Sequence, residues 1–226
     1  MLAWAPIVRA IEQRSLAAHG AFALDDDERQ GALADVATIA LVGLDGRRGW
    51  AAFSASPEAR DGGADPLDRW SRRVVGALAR ELGARALFPF DGPPHWPFQR
   101  WAMRAEPMHA SPLGLLIDPV DGLWRGYRGA LAFAERLAVP PVRATASPCE
   151  ICVARPCLSA CPVGAFTSAG YDVAACAAHL RRPAGHACMA GGCLARRACP
   201  VGAGRAPEPA QAAFHMRAFL AARGPA

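Results

Sequence analysis

The sequence predicts an α+β fold followed by a small cysteine-rich module, and three observations carry that expectation. Short apolar runs and helical stripes alternate along the first two thirds of the 226-residue chain. All eight cysteines fall between Cys149 and Cys199. A proline-bearing stretch, Pro140-Pro141 through Pro148, lies between the two regions and reads as a linker or docking segment. The expected division is a scaffold over 1–146, a cysteine module over 147–205 and a C-terminal helix over 206–226.

In chain order, Trp4, Ile7, Val8 and Ile11 recur at helical spacing, so Met1 to Gly20 reads as an amphipathic helix ending near Gly20, with His19 on its surface. Arg9, Glu12, Gln13 and Arg14 interrupt any continuous apolar segment, which argues against a secretory signal. Ala37–Leu44 (ATIALVGL) is a buried-strand candidate closed by Asp45-Gly46. A helix then starts with Asp65 as N-cap and Pro66 in the first position, with Asp68 suited to the positive helix end. Its stripe is Leu67, Trp70, Val74 and Leu78, and Gly83 is its stop. Ala84–Phe90 reads as a strand, and a loop from Asp91 to Pro97 precedes a short helix around Gln99–Ala105. Leu113–Ile117 and Trp124–Phe133 read as a strand pair, with Asp118 to Gly122 as the turn between them. His215 falls on a helical segment and is expected at the surface.

Hydrophobic residues make up 52% of the chain and charged residues 20%, enough apolar material for an ordinary core and too little charge for disorder. Apolar stretches break well before the roughly 18 residues that a membrane span needs. A soluble cytoplasmic protein is the expectation. The net charge is +5, and every basic residue is arginine. A charge of that size suits a mildly charged soluble protein and gives no strong signal for nucleic acid.

The cysteines carry the chemistry. The first run is Cys149-x2-Cys152-x4-Cys157-x3-Cys161-Pro162, and four thiolates in so short a segment can wrap one compact inorganic cluster. The Cys-Pro exit marks ferredoxin-type runs, where the chain must leave the cluster abruptly. The second group is Cys176, then Cys188-x4-Cys193-x5-Cys199-Pro200. Cys-Pro-Val-Gly occurs in both, at 161–164 and 199–202, which suggests that the two runs are related. In two-cluster ferredoxins the last cysteine of each run ligates the other cluster. Applied here, Cys149, Cys152, Cys157 and Cys199 hold one [4Fe-4S] cluster, and Cys161, Cys176, Cys188 and Cys193 hold the other. Zinc is a competing reading, but its four-cysteine sites pair two knuckles without Cys-Pro exits. Disulfides would need an oxidising compartment. His179 and His186 lie between Cys176 and Cys188 and would serve only if a thiol were replaced, as in Rieske centres.

Several of these stretches resemble one superfamily. Ser111–Leu131 (SPLGLLIDPVDGLWRGYRGAL) is similar to the segment before the iron–sulfur module of epoxyqueuosine reductases, and to the equivalent part of the cobalamin-processing protein of type C methylmalonic aciduria. The helix opening Asp65-Pro66-Leu67-Asp68 is similar to that group as well, and Tyr171–Leu180, which contains Cys176, resembles epoxyqueuosine reductases and reductive dehalogenases. The resemblance covers about residues 35–200. It implies a nitroreductase-like scaffold that in the relatives holds cobalamin, with a two-cluster ferredoxin module reducing its cobalt. Asp118 and Asp121 depart from the pattern, standing where a histidine and an aromatic are usual. Asp91 lies near the relatives' proton donor, although Gly92-Pro93-Pro94 after it favours a turn residue. Under the resemblance Trp96, Trp101, Trp124 and Tyr127 would wall a corrinoid pocket, with His109 near the metal.

The expected function is iron–sulfur electron transfer with a redox partner protein. The alternative is a cobalamin-dependent reductase fed by the clusters. A third reading makes the clusters folding staples with no redox task. No catalytic residue is assigned from sequence.

Overall fold

The computed structural model describes residues 3–224. In chain order the elements are α1 (Trp4–Glu12), β1 (Leu16–Ala23), β2 (Thr38–Leu44), α2 (Gly46–Ser54), α3 (Pro66–Glu81), β3 (Arg85–Leu87), α4 (Phe98–Ala105), β4 (His109–Ala110), β5 (Leu116–Ile117) and β6 (Tyr127–Phe133). The cysteine region adds α5 (Pro156–Ser159), β7 (Phe166–Thr167), β8 (Gly170–Tyr171), α6 (Val173–Leu180), α7 (His186–Gly191), α8 (Leu194–Arg197) and α9 (Pro209–Ala221). Helix and strand are mixed, as expected. The chain forms two compact units, Met1–Pro107 with Gly126–Ala144, and Met108–Arg125 with Thr145–Ala226.

The first unit is built on an antiparallel sheet of order β1-β2-β6-β3. Thr38 to Gly43 of β2 and Gly129 to Phe133 of β6 are all buried, so these central strands are covered on both faces. Helices α1 and α4 pack on β1, α2 on β2, and α3 on β3 and β6. Pro66 opens α3 and Asp65 stands at its N-cap, though the Asp65 side chain caps nothing. Its buried stripe runs through Leu67, Trp70, Val75 and Leu78, with Val75 in the place expected for Val74. Asp68 pairs with Arg128 at 3.0 Å.

Two expectations need correction. The first helix stops at Glu12, and residues 16–23 form a strand. Ala17, Ala18 and Ala21 favour a helix intrinsically, but pairing with β2 and burial of Leu16 and Phe22 outweigh that weak preference. The pairing register shifts between Ala18 and Ala21, a bulge at His19-Gly20. Gly20 has φ +71°, and a Cβ there would sit 2.1 Å from the Ala105 carbonyl oxygen, so this strand and α4 approach too closely for a side chain. His19 is consequently buried, 3% exposed, with Nδ1 3.5 Å from Oε1 of buried Glu106. Tyr127 donates its hydroxyl to Glu106 Oε2 at 2.8 Å.

The second correction concerns 113–133. The turn at 118–122 exists, with Asp118 and Gly122 bridged, but its flanks do not pair with each other. Leu116–Ile117 pairs with His109–Ala110, while Tyr127–Phe133 joins the sheet between β2 and β3. The segment 108–125 therefore belongs to the unit that holds the cysteines. The helix expected in 206–226 is α9, packed on α7.

In the first unit the segment between α2 and α3 is held by two arginine forks. Arg73 grips Glu58 at 2.5 and 2.9 Å, and Arg69 grips Asp61 with two bonds of 2.7 Å. Hydrogen bonding by Arg73 holds the Glu58 carboxyl down at about 2. The folded state thus binds fewer protons than the unfolded chain between the two pKa values. The stabilisation is complete above the ordinary glutamate range and disappears as pH falls towards 2. Urea unfolding should show Glu58→Gln destabilised by about 1 kcal/mol at pH 7 and indistinguishable from wild type near pH 2.

Candidate metal centres

All eight cysteines are unbonded thiols. They come from short, turn-rich segments. Arg155, with φ +38°, turns the chain into α5, which carries Cys157. Cys176 lies on α6, whose N-cap Asp172 accepts a 2.8 Å bond from the Ala175 amide. Cys188 lies on α7, Cys193 is the N-cap of α8, and α8 packs against α5.

The thiols fall into two sets that interleave in sequence. Cys149, Cys152, Cys157 and Cys199 line one small cavity. Burial pushes the Cys149 and Cys157 thiols up, and their neighbours Cys199 and Cys152 push them further. The second set is mutually close in the same sense. Cys176 is raised by burial and then by Cys161 and Cys188, while Cys193 is raised by burial and then by Cys188 and Cys176. Cys199, from the end of the second run, thus sits with the first three thiols, and Cys161 sits with the later three.

The surroundings of the sets differ. The first cavity is walled by Pro112, Pro148, Pro156 and Pro200, with Ile117 and Val201. Proline has no N–H to offer a sulfur, although the Cys157 and Leu158 amides favour the Cys157 thiolate. Around the second set the Ala165 amide donates to Cys161 Sγ at 3.3 Å. The Tyr171 hydroxyl lies against Cys176, and burial raises the Tyr171 pKa. The Ala195 and Arg196 amides favour the Cys193 thiolate. Burial pulls Arg196 down to about 10, partly countered by Cys193, so it remains a cation at neutral pH.

A small core supports the first set: Leu113, Ile117, Leu123, Ala195 and Cys199 are buried together, with Cys149, Cys157 and Cys161 packed on them. Two left-handed glycines let backbone meet backbone there. A Cβ on Gly122 would lie 2.0 Å from the Val201 carbonyl oxygen, and one on Gly202 would lie 2.2 Å from that of Asp121. Asp121 pairs with Arg125 at 2.7 Å and Arg205 at 3.0 Å.

The other candidate residues are spread over both units. Asp118 is 3% exposed; its Oδ1 accepts the Val120 and Asp121 amides at 2.8 and 2.7 Å, and Oδ2 lies 3.5 Å from Arg125. Asp91 is a turn residue, accepting the Phe88 amide and pairing with Arg72 at 2.7 Å. His109 bonds Thr145 at 3.0 Å. Trp96 and Trp101 stack at 5.8 Å and line an open cleft in the first unit. Tyr127 is engaged by Glu106, and Trp124 belongs to the second unit, where Arg196 covers its ring. Sequence reasoning missed Tyr171 and Arg196; only their closeness to Cys176 and Cys193 along the chain pointed to them.

Among the described residues no three His, Cys, Asp or Glu side chains form a group that could hold a metal ion, and neither His179 nor His186 completes one. Two sets of four thiols are the donors that a four-cysteine iron–sulfur cluster would need. Among the described residues no helix is long and apolar enough to cross a membrane.

Asp118 fixes the 118–122 loop through three polar contacts made out of water. Asp118→Ala should lower the unfolding free energy by about 2–4 kcal/mol, read from urea midpoints. Asp121→Ala, which leaves a more accessible ion pair, should cost less than about 1 kcal/mol. Equal midpoints for Asp118→Ala and wild type would mean that the carboxylate does not hold the loop.

No protein-family model and no curated protein matches the chain. Among solved structures, the fold is similar to that of epoxyqueuosine reductase from Bacillus subtilis, in a form with its catalytic aspartate loop swung out of the active site. The similarity covers 92% of this chain and 69% of that one, with a TM-score of 0.52 and 13% identity. At that identity the likeness is one of fold.

Proposed function

We propose that this chain is an iron–sulfur electron-transfer protein with two [4Fe-4S] clusters, one on Cys149, Cys152, Cys157 and Cys199, the other on Cys161, Cys176, Cys188 and Cys193. The observation that carries the reading is the crossed grouping of eight free thiols into two sets of four, with none left over. When bound, each cluster supplies a one-electron couple. The residues around them do the rest. Pro200 helps to wall the cavity of the first set, and the Ala165 amide offers a hydrogen bond to Cys161 Sγ. Beside Cys152, Ile151 and Val153 are 81% and 97% exposed and offer a redox partner an apolar contact. Free thiols and cluster chemistry suit a reducing compartment such as the cytoplasm.

The fold likeness to epoxyqueuosine reductase supports a nitroreductase-like reading of the first unit and a ferredoxin-type reading of the second. The same likeness, with the tryptophan-lined cleft, favours a second reading: a reductase whose first unit binds a corrinoid. Titration with cob(II)alamin followed by paramagnetic resonance separates the two. A changed cobalt signal supports the reductase, and an unchanged one at saturating protein leaves the electron carrier.

Anaerobically reconstituted protein should hold about eight irons and about eight acid-labile sulfides per chain. Stoichiometric zinc without sulfide would overturn the proposal. Cys152→Ala should abolish one cluster, and Cys161→Ala the other, although both cysteines belong to the first run. Loss of the same spectroscopic signal in both variants would show that the ligands are not crossed.

A further inference from the structure

We propose that Arg196 makes the Cys161, Cys176, Cys188 and Cys193 set the electron-accepting end of the pair, by holding a cluster there at a higher reduction potential than one on the other set. The inference rests on the two-cluster reading above and assigns a direction to it.

Arg196 stands in α8, three residues beyond the Cys193 N-cap; its amide bonds the Cys193 sulfur and its charge interacts with that thiol. Its position is fixed from two sides. Nε and Nη2 both donate to the Leu123 carbonyl oxygen, the first at 2.8 Å, and Cζ lies 4.4 Å from the centre of the Trp124 ring. The carbonyl and the π face orient the cation without neutralising it. Among the described residues no carboxylate pairs with Arg196. A cluster gains negative charge on reduction, so an unneutralised cation nearby favours the reduced state and raises the potential. Hydrogen bonds to the sulfurs act in the same direction. Both sets carry amides on a sulfur, those of Cys157 and Leu158 on Cys157 in the first and that of Ala165 on Cys161 in the second, so the part-buried cation is what separates them.

Arg155 is the cation that lines the first cavity, and it needs comparison. It is exposed, whereas Arg196 is only partly accessible. At an effective dielectric of about 20 a given charge pair interacts roughly fourfold more strongly than in bulk water, and salt screens the exposed charge further. Arg196 therefore outweighs Arg155. An electron delivered beside the exposed Ile151 and Val153 then runs on to the second set. Solvent access to the first set acts in the opposite sense.

The test is a redox titration of the anaerobically reconstituted full chain, followed by paramagnetic resonance. Cys152→Ser and Cys188→Ser variants assign the two signals. In wild type the signal perturbed by Cys188→Ser should have the higher midpoint. Arg196→Gln should lower that midpoint enough to change the reduced-to-oxidised ratio about tenfold at fixed potential, ~59 mV for a one-electron couple. Arg196→Lys should retain most of the wild-type value, and Arg155→Gln should move neither midpoint by more than a third of that shift. A higher midpoint for the Cys152-linked signal in wild type, or equal shifts of both signals in Arg196→Gln, overturns the proposal. The wild-type order decides even where Arg196→Gln does not assemble. Iron analysis keeps the two readings apart: a chain with fewer than two clusters defeats the proposed function itself, whereas two clusters in the wrong order defeat only the assignment to Arg196.

Discussion

Each cysteine run ends in a Cys-Pro step that sends its last thiol to the other run's set, and the second unit is arranged around that exchange. Cys161 leaves its three predecessors to meet Cys176 and its neighbours, and Cys199 returns to Cys149, Cys152 and Cys157. Neither run can complete a set of four alone. The helices here are short, α5 and α8 each having four residues, and helices of that length are not stable on their own. Their order depends on the side chains they bring together and on the packing of one against the other.

The excursion 108–125 makes the exchange possible at close range. It leaves the first unit after α4 and returns as β6, placing Ile117 and Leu123 under Cys199 and Ala195. Leu123 also supplies the carbonyl that holds Arg196. The buried Asp118 carboxylate shapes this loop by accepting two amides, so one acidic side chain indirectly sets both an apolar contact beneath the first set and the anchor of a cation beside the second. In a small unit, polar and apolar support are not separable.

Much of this was legible in the residues, for reasons that differ by element. The crossed cysteine sets were expected by analogy with two-cluster ferredoxins, on the strength of the two Cys-Pro exits. The buried strand at 38–44 and the helix from Pro66 are marked by an unbroken apolar run and by a start signal with an apolar stripe. The strand at 16–23 was not legible. Its alanines carry little periodic signal, and only pairing with β2 makes it a strand. His19 became a buried residue by the same route, through a bulge that no local pattern announces. At 113–133 the turn chemistry of Asp118 was readable, but a turn does not say which partner its flanks will take. Arg196 was invisible for another reason. Its significance lies in what it faces, and in a chain whose basic residues are all arginine its identity says nothing.

The crossing also has a consequence for biosynthesis. A ribosome releases the chain from its N-terminal end at about 5–20 residues per second. Cys149, Cys152 and Cys157 emerge first, yet their fourth companion, Cys199, is the last cysteine made. The set that begins later, with Cys161, gains Cys193 before Cys199 appears. The order of completion is thus the reverse of the order of emergence, and the three earliest thiols wait, incomplete, while the second set closes. A cell making this protein must keep those three reduced for the interval, and any pause in translation between Cys193 and Cys199 would leave the chain with one complete set and one still open.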